Sequence, residues 1–304
     1  MKKLLPLLPF LAGWVVLVST NSLQTRSLVN GGLQMVLFLL VVCLPTWRTG
    51  RMSYVDIGWP WGLVVIGAVT LVMSEGHTVR IAMVSGVYLL IGGRMGIYAL
   101  RLWQKGAFAK EFPRYRYQEV RWRRKGLTDF AFVRQVDVIM QGLANASFLA
   151  MPAFLVAINP TEGMHWLEII GFAVALTALF LESVADAQKA RFVAQSNKAG
   201  ERNRVCNVGL WRYSRHPNYF FEWMVWNGLI LMAIPALPHL FELESTVIAV
   251  LLTMGLFFVS RLMYMTLVHF TGAKPSEYYS VQKRPDYAEY QRTTNRFFPG
   301  PQRT

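Results

Sequence analysis

Gly209-Leu-Trp-Arg-Tyr-Ser-Arg-His-Pro-Asn-Tyr-Phe-Phe-Glu-Trp223 sets two arginines, a histidine, an asparagine, two tyrosines and a glutamate against the mouth of an apolar segment. Polar groups so placed beside lipid are costly unless they hold something polar or charged. The stretch therefore reads as a cofactor site on a membrane helix, and the rest of the chain bears out its setting. Of the 304 residues 54% are hydrophobic, and they come in long blocks instead of being spread over soluble domains.

Eight blocks are long enough, or nearly so, to span a bilayer: 4–20, 30–46, 57–74, 80–102, 136–158, 164–183, 221–236 and 245–269. They are too long and too uniformly apolar for the alternating strands of an outer-membrane barrel, so the fold class is all-α, a polytopic transmembrane bundle. The second and seventh blocks are short enough to be tilted, broken or re-entrant, which leaves seven spans as the alternative to eight. No repeat, low-complexity tract or linker divides the chain, and 1–304 reads as one integral domain.

Segment 101–134 carries ten Lys and Arg against three acids, 184–220 seven against two, and 270–304 six against three. The positive-inside rule makes these cytoplasmic, together with the 47–56 loop, and eight spans with both termini inside satisfy every loop. Segment 21–29 has only Arg26, and 75–79, 159–163 and 236–244 have no Lys or Arg. Much of the +14 net charge is thereby a topology signal and a contact for anionic lipids. No zinc-finger, recognition-helix or RNA-binding pattern accompanies it, so no nucleic-acid partner is expected. Met-Lys-Lys before an apolar run has no small-residue cleavage site after it and reads as a retained anchor. Cys43 in a span and Cys206 in a cytoplasmic loop are not expected to pair. A bacterial inner membrane is the expected location, and the oligomeric state is left open.

Glycine-rich dinucleotide fingerprints, phosphate-binding loops, nucleophile elbows and His-Glu-x-x-His are all missing from the sequence. The histidines are scattered, and no metal is expected, although His216, His269 and Glu222 share one side. Asp56 opens the third span, Arg94 lies in the fourth, Glu182 and Asp186 end the sixth, Glu222 opens the seventh and Arg261 lies in the eighth. All fall in the cytoplasmic half, as one shared polar cavity open to the cytoplasm would require. Helical spacing puts Glu182, Asp186 and Lys189 on one face and Arg261, Met265 and His269 on another. A buried Asp186 to Arg261 ion pair is the plain structural alternative.

The motif, the upstream Glu182-x-x-x-Asp186-x-Gln-Lys and the tail Lys283-Arg-Pro-x-Tyr-x-x-Tyr-x-x-x-Thr-x-x-Phe-Phe-Pro resemble the steroid 5-alpha-reductase family, most of all its bacterial members of unassigned substrate. Val55-Asp56-x-x-Trp59 and Arg94-x-x-x-Tyr98 resemble that branch more weakly. The resemblance implies a helical membrane reductase that binds NADPH in a cytoplasm-facing cavity and delivers hydride to a polarised C=C bond of a lipid entering from the bilayer. Residues 1–135 would then form the substrate side and 136–304 the cofactor part. Asn218 and Glu222 would hold the nicotinamide end, and Asp186, Arg191 and Arg215 the ribose and phosphates. Arg212, His216 and Tyr219 of the same motif would join them, with Arg261 and Tyr287 or Tyr290 closing over the cofactor. Several guanidiniums suit a pyrophosphate and a 2′-phosphate.

Hydride addition to an enone needs an acid near the carbonyl oxygen. The family's steroid-reducing members use a Glu and a Tyr from the first half of the chain. Here no clear glutamate equivalent exists and the aligned tyrosine position is apolar, so Asp56 and Tyr54 are the expected substitutes. Their plain alternative is an interfacial girdle of Tyr54, Trp59 and Trp61 with Asp56 capping a helix. Two other functions compete. Membrane methyltransferases also carry Arg-His-Pro-x-Tyr and a basic tail with paired tyrosines, and bind S-adenosylmethionine. A non-catalytic anionic-lipid-binding protein would need the basic residues but not Asn218 or Glu222.

Overall fold

The structure is a computed structural model that describes residues 2–303, so Met1 and Thr304 lie outside the described residues. Every regular element among those residues is a helix. Seven helical runs are long and apolar enough to cross a membrane, and the protein is a polytopic helical bundle. We number the helices α1 (Leu4–Val18), α2 (Gln24–Thr49), α3 (Val55–Met73), α4 (Thr78–Gln104) and α5 (Pro113–Arg124). There follow α6 (Phe130–Ala157), α7 (Trp166–Lys198), α8 (Pro217–Leu243), α9 (Thr246–Met265), α10 (Ala273–Lys283) and α11 (Tyr287–Thr293). Helix α1 is apolar but shorter than the seven.

The blocks expected to be short, 30–46 and 221–236, belong to helices of 26 and 27 residues. Hydropathy cut them early because polar residues that belong to the helix, Asn30 in α2 and Asn218 and Glu222 in α8, lie at their edges. Both are locally irregular: α2 passes through a π-helical turn at Leu39–Cys43, and α8 through a 3₁₀ turn at Ile234–Ala236. Segment 101–134, read above as a basic loop, contains α5, which starts with Pro113 at its first position, where proline has no hydrogen bond to lose.

Two close pairings organise the bundle. Helices α7 and α8 cross at Gly171 and Gly228, where an added Cβ on either would meet the other's carbonyl oxygen at 2.5 or 2.6 Å. Helices α3 and α4 cross at Gly92, where an added Cβ would meet the Pro60 carbonyl oxygen at 2.5 Å. Small residues let backbones approach in the absence of a hydrophobic drive between helices. A π-helical turn, Thr266–Phe270, joins α9 to Gly272, whose Cβ would sit 1.9 Å from the Leu267 oxygen, so the bend into α10 admits only glycine.

Contrary to the expectation that buried charges gather in one half, a second set lies at the opposite end. Arg80 at the start of α4 is wholly buried, with Nε donating to Glu168 Oε1 at 2.5 Å, Nη1 to the Asn159 and Thr161 carbonyls and Nη2 to Gly163 O. Glu168 also accepts from the His165 N–H, closing a capping box at the start of α7. Glu244 takes the N–H groups of Asn21 and Ser22. These charges escape a reading of span interiors because each sits at a helix terminus and neutralises loop backbone. Leaving a buried charge unpaired costs about 3–5 kcal/mol. Arg80→Leu is therefore expected to lower the thermal unfolding midpoint in detergent sharply, and adding Glu168→Leu should recover most of the loss.

Candidate functional site

Helices α3, α4, α5, α6, α8 and α9 enclose a cavity of about 550 Å³. Its apolar wall includes Trp59, Met95, Leu102, Phe108, Phe112, Met263 and Leu267, and its polar groups are Asp56, Arg114, Tyr115, Gln141, Tyr219 and Glu222. Tyr98 of α4 also lines it while remaining 64% exposed, so the cavity reaches the outer surface of a span.

At one side Asp56 receives two donors from α5: Arg114 Nη2 at 2.5 Å and the Tyr115 hydroxyl at 2.6 Å. Burial, reinforced by the charge of Asp56, pushes the Tyr115 phenol well up, so it stays a protonated donor. Burial works against the Arg114 charge, but the attraction of Asp56 outweighs it and the pKa is raised. The start of α3 is held by Glu111, which accepts from the N–H groups of Met52 and Ser53 and from the Ser53 hydroxyl. Tyr54 does not join the set. It stands two residues before Asp56, its ring lies 5.7 Å from that of Phe108, and it is not in the cavity wall. The tyrosine beside Asp56 is Tyr115, which sequence reasoning missed. Nothing in the sequence joins residues 59 apart.

On the other side Arg94 of α4 ties α7 to the first half of the chain through Glu182 and, at 3.4 Å, Asp186. Asp186 also accepts from Asn218 Nδ2 at 3.0 Å. The Asp186 to Arg261 ion pair weighed as the plain alternative does not form. Arg94 takes that place, and Arg261 is exposed on α9, two positions from the cavity-lining Met263, about 200° round the helix. Glu222 lines the cavity within electrostatic reach of Glu182, Arg94, Asp186 and Arg114. Three buried atoms of this group have no hydrogen-bond partner among the described residues: Glu182 Oε2, Asn218 Oδ1 and Arg94 Nε.

The rest of the motif grips α7 and the tail. Gly209 at φ 54° lies against Gln188, whose Oε1 accepts the Leu210 N–H at 2.9 Å. Trp211 Nε1 donates to Ala185 O, and Lys189 stands 4.1 Å from the Trp211 ring. Arg215 is buried and spends its donors inside the protein, Nε on Glu277 at 2.8 Å and Nη1 on the Gln291 and Thr294 carbonyls. His216 shares Glu277 at 3.2 Å and stacks on Tyr219, while Gln291 and Arg296 bind the same carboxylate. Tyr290 donates to Trp211 O. Tyr287 and Tyr290 line, with Lys189, Cys206, Arg215 and His216, a second cavity of about 30 Å³, room for one or two waters.

Of the residues expected to hold a cofactor, Tyr219 and Glu222 line the main cavity, Asp186 and Asn218 pair with each other outside its wall, with Asp186 49% exposed, and Arg215, His216, Tyr287 and Tyr290 form the tail clamp. Arg191, Arg212 and Arg261 are exposed, and the only hydrogen bond Arg212 makes among the described residues is to Gln302 at 3.3 Å. Arg215 suited a phosphate by composition, but it sits where three tail carbonyl and carboxylate groups lacked a donor.

Fold and site thus define a polytopic helical membrane protein with a buried polar cluster opening on an internal cavity. Residues 43–294 match the family described as Protein of unknown function (DUF1295), and the chain belongs to it. That family is a steroid 5-alpha-reductase-like group. No curated protein and no solved structure matches the chain.

Burial pushes the His216 pKa down against the pull of Glu277, so the ring is neutral in the fold. Unfolded histidine takes a proton near pH 6.5, so this contribution is present above that value and is lost as the pH falls below it. Lowering the pH from about 7 to about 5 should depress the melting temperature in a calorimetric scan, and His216→Gln should flatten that part of the slope.

Proposed function

We propose that this protein is an NADPH-dependent membrane reductase acting on a polarised C=C bond of an apolar lipid. The observation that carries the reading is the Tyr115 hydroxyl, held by Asp56 at 2.6 Å with Arg114 alongside, in the wall of the cavity that Glu222 lines from the other side. The likeness of the family to steroid 5-alpha-reductases supports it.

The residues present fit the nicotinamide end of the cofactor. Glu182 Oε2 and Asn218 Oδ1 are buried acceptors in need of donors, and Arg94 Nε is a buried donor in need of an acceptor. A primary carboxamide with neighbouring ribose hydroxyls offers both kinds. Four carboxyl groups, Asp56, Glu182, Asp186 and Glu222, stand near two guanidiniums, Arg94 and Arg114, and offer oxygens to the amide and ribose donors of the cofactor. When bound, NADPH supplies the hydride.

For Tyr115 to deliver the proton to the substrate oxygen, where negative charge develops, its hydroxyl would turn its one hydrogen from Asp56 to that oxygen, with the Arg114 cation alongside to offset the phenolate left behind. Arg114 and Asp56 fix its orientation. Trp59, Phe108, Phe112 and Leu267 keep water from the reacting carbon. The exposed Tyr98 edge gives a lipid a way in from the bilayer. The basic segments face the cytoplasm of a bacterial inner membrane, residues 1–135 supply the acid and most of the substrate wall, and 136–304 hold the cofactor.

The same carboxyl oxygens would also accept from the ribose hydroxyls and amino group of S-adenosylmethionine, which keeps it as the second reading. Thermal unfolding of detergent-purified protein separates them. NADPH at a hundredfold excess over its Kd should add about 2.7 kcal/mol, and stabilisation by S-adenosylmethionine alone would sink the reductase reading. Asn218→Ala and Glu222→Gln should each shrink the NADPH effect. Tyr115→Phe should keep it and lower NADPH-coupled lipid reduction by about 10²–10⁴-fold.

A further inference from the structure

Helix α5 carries two kinds of surface. Tyr115 and Trp122, seven residues apart and so on one face, are buried, and Arg114 reaches Asp56 in the cavity wall. A different side meets the tail: the Tyr117 ring, about 160° round the helix from Tyr115, lies 5.0 Å from Tyr278 and Arg121 stands 4.9 Å over Phe270, while Arg116 lies 6.0 Å from the Tyr279 ring. Arg116 and Arg123, also seven apart, are exposed about 100° round the helix, followed by Arg124 and Lys125. None of these four cations binds a carboxylate among the described residues, whereas Arg114 and Arg134 do.

The setting decides what such a face can meet. Short connectors, 105–112 and 125–129, join α5 to two membrane-crossing helices, so it lies against the end of the bundle. Around it Arg48, Arg101, Lys105 and Lys110 are exposed, and Trp47 and Trp103 stand 71% and 52% exposed at the ends of α2 and α4. Exposed tryptophans beside cations at the ends of spans are the pattern of a membrane interface. A soluble acidic protein would meet the cations but would leave both tryptophans and the adjoining lipid-facing helices unused. The patch is continuous with the surface that lipid covers.

We propose that the outer face of α5 docks on the head groups of anionic phospholipids, and that this docking holds Arg114 and Tyr115 in the cavity wall. The docking stands on geometry and charge alone, and its effect on catalysis rests on the reductase reading. Anionic head groups bind each nearby Lys or Arg by about a factor of five, so four cations give a large bias towards the seated helix.

Hydrogen exchange of the α5 amides in lipid nanodiscs tests this without cofactor. Replacing half of the phosphatidylcholine with phosphatidylglycerol should slow exchange over 115–124 at least about tenfold, and high salt should remove the effect. The triple variant Arg116→Gln, Arg123→Gln, Arg124→Gln should exchange alike in both lipids while keeping the NADPH-induced thermal shift of the parent in detergent. Equal exchange of the parent in the two lipids overturns the proposal, and so does slowing reproduced by soluble inorganic phosphate in neutral discs. If the triple variant does not fold, the salt dependence of the parent decides. Lipid-dependent protection without any NADPH shift leaves the docking standing and removes the reductase reading.

Discussion

Arg94 is the point on which the two halves of the molecule meet. A guanidinium within a span is tolerated only where it is paired, and Arg94 finds Glu182 and Asp186 on α7. Asp186 is thereby placed to accept from Asn218 on α8, and Glu222 follows one turn on. Removing the arginine would leave Glu182, Asp186 and Glu222 facing each other, with Arg114 near Glu222 and Lys189 near Asp186 as the remaining cations. One cross-bundle ion pair thus stands behind Glu222 of the cavity wall, and Glu182 Oε2 and Asn218 Oδ1 beside it have no hydrogen-bond partner among the described residues.

Behind that wall the chain is locked by Glu277. One carboxylate takes Arg215, His216, Gln291 and Arg296, so it ties the tail and α10 to the run at Ser214–Pro217. The three strings that carry the family resemblance turn out to be one interlocked body: Gly209 to Trp211 against Ala185 to Lys189, and Tyr290 and Asn295 against Trp211 and Arg215. Much of what looked like ligand-binding chemistry is thus scaffolding for the few side chains that do reach the cavity. At the far end of the bundle the Arg80 to Glu168 pair does comparable work for the loop 159–165.

How much of this was legible varied with the range of the interaction. Hydropathy blocks overlap all seven helices able to cross, but the first of the eight, 4–20, falls on a helix shorter than those seven, and several blocks stop where polar residues of the same helix begin, 164–183 against Trp166–Lys198 above all. The Glu182, Asp186 stripe followed from helical spacing, whereas the joint role given to Asn218 and Glu222 came from the family resemblance. Arg261 satisfied the same spacing rule and still failed, because periodicity says which residues share a face but not which way the face turns. Tyr54 was chosen over Tyr115 for a similar reason: it was near Asp56 in the chain, while Tyr115 was near it in space.

The amino-acid sequence by itself determined the class of the fold, the asymmetric placement of its basic segments and the identity of the polar residues that lipid cannot leave unpartnered. Those follow from transfer energies and local periodicity, which are properties of short stretches of chain. Only the tertiary structure decided the partners, giving Asp186 to Arg94, Asp56 to Tyr115 and Arg114, and Arg215 to the tail. Ion pairs and hydrogen bonds act over a few ångströms between residues dozens to scores of positions apart, so they are settled by how the helices cross, at Gly171 and Gly228 and at Gly92 and Pro60.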